Sequence, residues 1–138
     1  MEDQDPYLMN RLGNTNNRFQ NIAAHKRALC VCSAGLLRSP TAAFVLSQEP
    51  WNYNTRAVGL APEFALIPLD QVVLEWADEI VCMTQDQADA VLDMVEQLKL
   101  TTPVVCLNIP DNFGYRDPVL VELIKERYLL QQAKFLLR

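Results

Sequence analysis

Ten consecutive residues, Val31–Pro40, carry side chains that together could hold and attack a phosphate group. The run reads VCSAGLLRSP. Cys32 offers a nucleophilic sulfur, and Arg38 can donate two hydrogen bonds to two phosphoryl oxygens, a geometry that lysine cannot match. The backbone N–H groups between them can curl around an anion, and a helix that follows adds the positive end of its dipole. The spacing therefore predicts a phosphate-binding loop.

The loop residues that would contact the phosphate are Ser33, Ala34, Gly35, Leu36, Leu37, Arg38 and Ser39. Ser39 could donate its hydroxyl to the sulfur, and Pro40 is tolerated in a first helical turn because no N–H is needed there. The alternative for Cys32 is a small buried apolar residue at the end of a strand. The strand before the loop and the helix after it favour the phosphate-binding interpretation.

Apolar segments that alternate between strand-like and helix-like patterns surround the loop. The predicted strands are Arg27–Cys32, Thr55–Gly59, Glu79–Met83 and Pro103–Asn108, and the predicted helices are Thr41–Ser47, Leu69–Asp78, Gln85–Leu98 and Pro118–Leu136. This alternation indicates an α/β fold with a parallel sheet covered on both faces. Such sheets bind ligands beyond the carboxyl ends of their strands. Cys32, at the end of the first strand, lies where the fold would place a site.

Length and composition indicate one globular domain. The chain has 138 residues, half of them hydrophobic, and a net charge of -5. We expect residues 1–25 to form an extension, rich in Asn, Asp and Gln, and residues 26–138 to form a single domain. The negative charge argues against a nucleic-acid partner, and the absence of a long apolar stretch argues against a membrane partner.

The four cysteines do not form the pattern of a disulfide framework. We expect Cys30 and Cys32 to point to opposite faces of their strand, and Cys82 and Cys106 to lie in strands. A reducing, cytoplasmic setting fits best. His25 is the single histidine, so a His-based metal cluster is excluded, and we expect neither a metal nor another cofactor.

Four stretches of the chain resemble the low-molecular-weight protein tyrosine phosphatases. They are the loop Val31–Pro40, Ala57–Leu60, Glu75–Met83 and Ile109–Phe113. The resemblance extends from about Arg27 to Leu137, and it is greatest to a short bacterial and phage-like branch. It implies a three-layer α/β/α sandwich with a four-stranded parallel sheet in the order 2-1-3-4. It also implies a metal-free phosphatase.

The resemblance also assigns catalytic roles. Cys32 would attack phosphorus as a thiolate, Arg38 would hold the equatorial oxygens, and Asp111 would be the general acid. The cysteinyl-phosphate that forms would then be hydrolysed by water that Asp111 activates. Asp117 is the rival acid, although its position before Pro118 is typical of a helix N-cap.

The predicted substrate pocket is lined by Leu36, Phe64, Phe113 and Tyr115. Aromatic walls favour a phosphotyrosine protein or a small aryl phosphate as substrate. The loop departs from the family in having Ala34 and Gly35 in place of Gly and Asn, and Leu37 in place of a cysteine. We therefore predict no protective disulfide inside the loop.

Two other functions remain open on the same scaffold. One is thiol-dependent arsenate reduction, which needs two further cysteines that relay a disulfide. The other is a catalytically weak phosphate-binding module. Fold alone does not separate these functions.

Overall fold

The computed structural model describes residues 26–33, 38–60, 68–110 and 112–136. Its strands are β1 (Arg27–Cys32), β2 (Asn54–Gly59), β3 (Glu79–Cys82) and β4 (Val104–Cys106). Its helices are α1 (Arg38–Leu46), α2 (Gln71–Trp76), α3 (Gln85–Gln97) and α4 (Pro118–Leu136). The predicted extension at residues 1–25 lies outside the described residues.

The four strands form one parallel sheet in the order β2-β1-β3-β4, which confirms the predicted topology. Cys32 is in register with Gly59 of β2, and Val31 is in register with Cys82 of β3. The chain leaves β1 toward β2 on one side and later returns to β3 on the other. The strand order therefore reverses between β1 and β3, where parallel sheets open a binding crevice.

Helix α1 begins earlier than the sequence pattern predicts. It starts at Arg38, whereas the apolar spacing predicts Thr41. The difference arises because Pro40 fits into a first turn, where backbone N–H groups have no partner within the helix. As a result, Arg38 and Ser39 belong to the first turn of α1 and are fixed by it.

Apolar side chains on the two faces of the sheet form two separate cores. One core joins α1 and α4 to the face that carries Ala28, Cys30 and Cys32, and the other joins α2 and α3 to the face that carries Leu29 and Val31. The prediction that Cys30 and Cys32 point to opposite faces is wrong, because side chains two residues apart in a strand share a face. The two helical layers around the sheet confirm the α/β/α sandwich.

A buried polar cluster lies at the amino ends of the strands, on the side of the sheet away from Cys32. Glu79, at the start of β3, is 8% exposed. The Tyr128 hydroxyl donates to Glu79 Oε1 at 2.6 Å, and Lys26 Nζ lies 3.3 Å from the same oxygen. The Tyr53 hydroxyl lies 3.0 Å from that of Tyr128. Burial, followed by the Glu79 charge, raises the pKa of Tyr128, so its phenol remains a donor.

Replacing Tyr128 with phenylalanine is expected to lower the free energy of unfolding by about 2 kcal/mol, because the Glu79 carboxylate stays buried without that donor. Replacing Tyr53 with phenylalanine should lower the free energy of unfolding by about 1 kcal/mol, because the Tyr53 hydroxyl contacts a phenol and not a charged group. Urea denaturation of both variants measures the difference. Equal losses would show that the phenol does not stabilise the carboxylate.

Within the described part of the chain, no helix is both long and apolar enough to cross a membrane.

Candidate active site

Cys32 ends β1 with its sulfur in contact with the first turn of α1. The residue is 3% exposed. Its Sγ donates to Ser39 Oγ at 3.2 Å, and the Ser39 hydroxyl donates to the Val58 carbonyl at 3.4 Å. A hydroxyl can also donate to a sulfur, so Ser39 is placed to turn its hydrogen from the Val58 carbonyl and stabilise a thiolate at Cys32.

Arg38 connects the first turn of α1 to the chain that follows β4. The side chain is buried, at 3% exposure, and its Nη1 donates to the Ile109 carbonyl at 2.8 Å. A guanidinium carries five N–H donors in a rigid plane, so it can hold this carbonyl and a phosphoryl group at once. Arg38 therefore holds helix α1 and the segment after β4 in a fixed relation.

A second contact anchors the far end of that segment to α1. The Arg116 backbone N–H donates to Thr41 Oγ1 at 2.9 Å. The Arg116 guanidinium lies 3.6 Å from the centre of the Phe44 ring, a cation–π contact. The chain between Ile109 and Arg116 is thus anchored to α1 at both ends.

The two aromatic residues predicted for the pocket on this segment are both half-buried. Phe113 packs against the core of the α1 and α4 face. The Tyr115 ring centre is 5.3 Å from the Arg116 guanidinium carbon. Phe113 thus has a packing role, and the structure does not test whether either ring contacts a substrate.

Ser33, the residue after Cys32, is exposed and contacts the first turn of α3. Its Oγ accepts a hydrogen bond from Gln87 Nε2 at 3.2 Å. Gln87 Oε1 accepts from the backbone N–H groups of Met83 and Thr84, each at 3.0 Å. The sequence analysis missed Gln87, although Thr84-x-x-Gln87 has the spacing of a capping box.

Hydrogen bonds continue past the strand ends and make this edge of the sheet rigid. The Leu60 N–H donates to the Cys32 carbonyl at 3.0 Å, and the Met83 N–H donates to the Val31 carbonyl at 3.2 Å. The Ile109 N–H donates to the Met83 carbonyl at 2.7 Å. The carboxyl ends of all four strands therefore form one continuous platform around Cys32.

Six predicted site residues lie outside the described part of the chain. They are Ala34, Gly35, Leu36, Leu37, Phe64 and Asp111. The structure brings four of the predicted residues together at this edge, Cys32, Ser33, Arg38 and Ser39. Phe113 and Tyr115 lie on the segment that follows β4.

Asp117 caps α4, as its position before Pro118 predicts. Its Oδ1 accepts from the Val119 backbone N–H at 2.9 Å, and its carbonyl accepts from the Val121 N–H at 2.9 Å. The cap bond occupies one carboxylate oxygen, so Asp117 has the structural role that its position predicts.

The remaining cysteines are strand residues. Burial raises the pKa of Cys30 well above its usual value and the pKa of Cys82 to about 12. Cys82 and Cys106 both lie in strands, as predicted, and the two residues are in register between β3 and β4. No cluster of three or more metal-ligating side chains occurs among residues 26–33, 38–60, 68–110 and 112–136.

No protein-family model and no curated protein sequence matches this chain. Solved structures do match it. A YwlE mutant from Bacillus subtilis is 21% identical with a TM-score of 0.54, and the match covers 82% of this chain and 99% of that one. YwlE arginine phosphatase from Geobacillus stearothermophilus is 20% identical with a TM-score of 0.55, over 80% of this chain and 96% of that one. YwlE belongs to the low-molecular-weight phosphatase family. The chain therefore has the fold of the low-molecular-weight protein tyrosine phosphatases, as its loop resemblance implies.

Proposed function

We propose that this protein is a metal-independent phosphomonoester hydrolase that acts on phosphotyrosine or an aryl phosphate through a cysteinyl-phosphate. The observation that carries the proposal is the arrangement at the start of α1. A sulfur at the end of β1 contacts the Ser39 hydroxyl at 3.2 Å. In the same helical turn, a buried arginine is held by a carbonyl 71 residues away. The first turn of α1 thus carries both the proposed thiolate donor, Ser39, and the proposed phosphate clamp, Arg38, beside the proposed nucleophile at the end of β1.

The reaction proceeds in two displacements at phosphorus. The Cys32 thiolate attacks, a P–S bond forms, and the bond to the leaving oxygen breaks as that oxygen takes a proton from the Asp111 carboxyl. Water then attacks phosphorus and gives a proton to the Asp111 carboxylate. The P–S bond breaks, inorganic phosphate leaves, and the thiolate is restored. Arg38 and the loop N–H groups stabilise the equatorial oxygens in both steps.

The assignment of Asp111 as general acid is supported by the position of Ile109. Two residues of chain span no more than about 7 Å, and the Ile109 carbonyl is bound by Arg38. An acid two residues after this carbonyl is within reach of a phosphate held by the same guanidinium. Asp117, by contrast, is engaged in capping α4.

A phosphorylated guanidinium is a second candidate substrate. One of the similar structures is an arginine phosphatase by name. Here Asp86 is exposed in the first turn of α3, where a hydrogen bond from Thr84 Oγ1 at 2.6 Å lowers the pKa of its carboxyl, with a smaller contribution from Arg38. An exposed carboxylate at this end of α3 could attract a substrate guanidinium. Assays with both substrates separate the two candidates.

The function is tested by hydrolysis of p-nitrophenyl phosphate with EDTA present, between about pH 5 and 7. We expect the wild type to turn over and Asp111→Asn to lower kcat by about 10²-fold or more, because the leaving oxygen loses its proton donor. Asp117→Asn is the matched control. It should retain kcat within about threefold, since asparagine also caps helices well. A larger loss in Asp117→Asn than in Asp111→Asn would reassign the acid.

Two further measurements, of phosphate binding and of arsenate turnover, separate the hydrolase from the other functions. Arsenate reduction needs accessible relay thiols, and the raised pKa of Cys82 disfavours its thiolate. A folded wild type that binds phosphate without any turnover would instead be a phosphate-binding module. Turnover of arsenate with thioredoxin but not of the aryl phosphate would identify a reductase.

A further inference from the structure

The side-chain amide of Gln87 connects the end of β3 to the residue after the nucleophile. Gln87 is 2% exposed. Its Oε1 accepts two backbone N–H groups, from Met83 and Thr84, and its Nε2 donates to Ser33 Oγ. This contact bridges β1 and β3, where the strand order reverses. A buried polar side chain therefore reaches directly into the predicted phosphate loop.

The two backbone donors fix the orientation of the amide. Only the oxygen of a carboxamide accepts hydrogen bonds, so the oxygen must face Met83 and Thr84. The NH₂ group must then face Ser33, whose Oγ is an acceptor in this contact. Because a hydroxyl carries a single hydrogen, that of Ser33 is left to point away from α3.

We propose that Gln87 is a positioning residue of the phosphate loop, one that presents the Ser33 hydroxyl hydrogen to a bound oxyanion. The inference rests on the proposed function for the identity of the anion, a phosphoryl group. Gln87 does not touch the reacting atoms. It acts through Ser33, which it holds at the start of the loop.

The variant Gln87→Glu tests this role with little change of shape. Glutamate is as good as glutamine in a capping box, so one carboxylate oxygen keeps both backbone N–H bonds. The second oxygen is an acceptor, and the Ser33 hydroxyl must turn its hydrogen back toward α3. Phosphate then loses a hydrogen bond and meets a nearby negative charge.

Inorganic phosphate is the probe, and NMR titration of the full chain gives the Kd. We expect Gln87→Glu to raise the Kd by about tenfold or more at pH 7, as for loss of a hydrogen bond to a charged group. The melting temperature should stay close to that of the wild type. The control is Gln85→Glu, on the exposed side of the same turn, where Gln85 Nε2 donates to Asp89 at 2.9 Å. It adds the same charge and should change the Kd by less than about twofold.

A pH profile separates positioning from simple structural damage. Below about pH 5 the introduced carboxyl becomes increasingly protonated, and a protonated carboxyl donates a hydrogen bond as the amide does. The ratio of the Kd of Gln87→Glu to that of the wild type should therefore fall toward one on acidification. Damage to the fold would not recover in this way.

Three results would overturn the inference. One is an unchanged Kd in Gln87→Glu. Another is the same increase in a Ser33→Ala background, which would show that the hydroxyl plays no part. The third is a wild type that binds no phosphate. Phosphate binding is measured without turnover. An inactive wild type would therefore refute the proposed hydrolase activity, whereas the Kd values would still test the role of Gln87.

Discussion

Cys32→Ser is expected to abolish hydrolysis of p-nitrophenyl phosphate, lowering kcat by about 10⁴-fold or more. An alcohol is far less acidic than a thiol, so serine supplies almost no anionic nucleophile at neutral pH. The Ser39 hydroxyl, 3.2 Å from the sulfur, can stabilise a thiolate but cannot remove a proton from an alcohol. The variant should still fold and bind phosphate, because serine has nearly the same shape and Arg38 is unchanged.

Cys106→Ser is the matched control for this prediction. Cys106 is partly exposed, and its Sγ donates to Asn108 Oδ1 at 3.3 Å, a bond that a serine hydroxyl can also make. Its activity should remain within about twofold of the wild type. Alkylation with iodoacetate measures independently which thiols react. Burial raises the pKa of Cys30 and Cys82, so neither should react in the native protein. Substantial turnover by Cys32→Ser would contradict the covalent mechanism.

Arg38→Lys is expected to lower kcat/KM by about 10²- to 10³-fold while the charge is retained. Two functions of one guanidinium are lost together. An ammonium cannot form the planar fork that matches two phosphoryl oxygens. It also lacks a second arm to hold the Ile109 carbonyl at 2.8 Å. The melting temperature should fall as well, since Arg38 is buried and its contact joins α1 to the segment after β4.

Arg56→Lys makes the same substitution away from the site. The Arg56 guanidinium lies 4.8 Å from the centre of the Trp76 ring, and lysine can keep a cation–π contact there. Its kcat/KM should stay within about twofold of the wild type. Titration with phosphate measures the affinity of Arg38→Lys for the anion, and so separates a loss of binding from a loss of turnover. If Arg38→Lys retained most of its kcat/KM, the positive charge alone would be sufficient and the fork geometry would not matter.

Features set by local patterns could be predicted from the sequence. The apolar run before Cys32 and its place at a strand end follow from composition and periodicity, and so does the parallel sheet. The N-cap at Asp117 follows from the proline after it. The apolar spacing predicts that helix α1 starts at Thr41, three residues late, because Arg38 and Ser39 are polar and add nothing to the apolar pattern of their helix.

Features set by contacts between distant residues could not be predicted. Gln87 contacts Ser33, which is 54 residues away in the sequence, and Arg38 contacts Ile109, which is 71 residues away. No local propensity encodes such a meeting, because it depends on how the strands are ordered in the sheet. The spacing Thr84-x-x-Gln87 predicts that Gln87 caps α3. It does not predict the contact between the Gln87 NH₂ group and Ser33.

The double attachment of the Ile109–Arg116 segment to α1 has an energetic consequence for turnover. Fixing the ends of a segment costs conformational entropy, and here that cost is met once, when the chain folds. Arg38 donates to the Ile109 carbonyl, and Thr41 accepts from the Arg116 N–H. Substrate binding therefore does not have to fix the two ends of this segment. In the proposed reaction, fixing these two anchor points should therefore contribute little to the activation entropy of the chemical step.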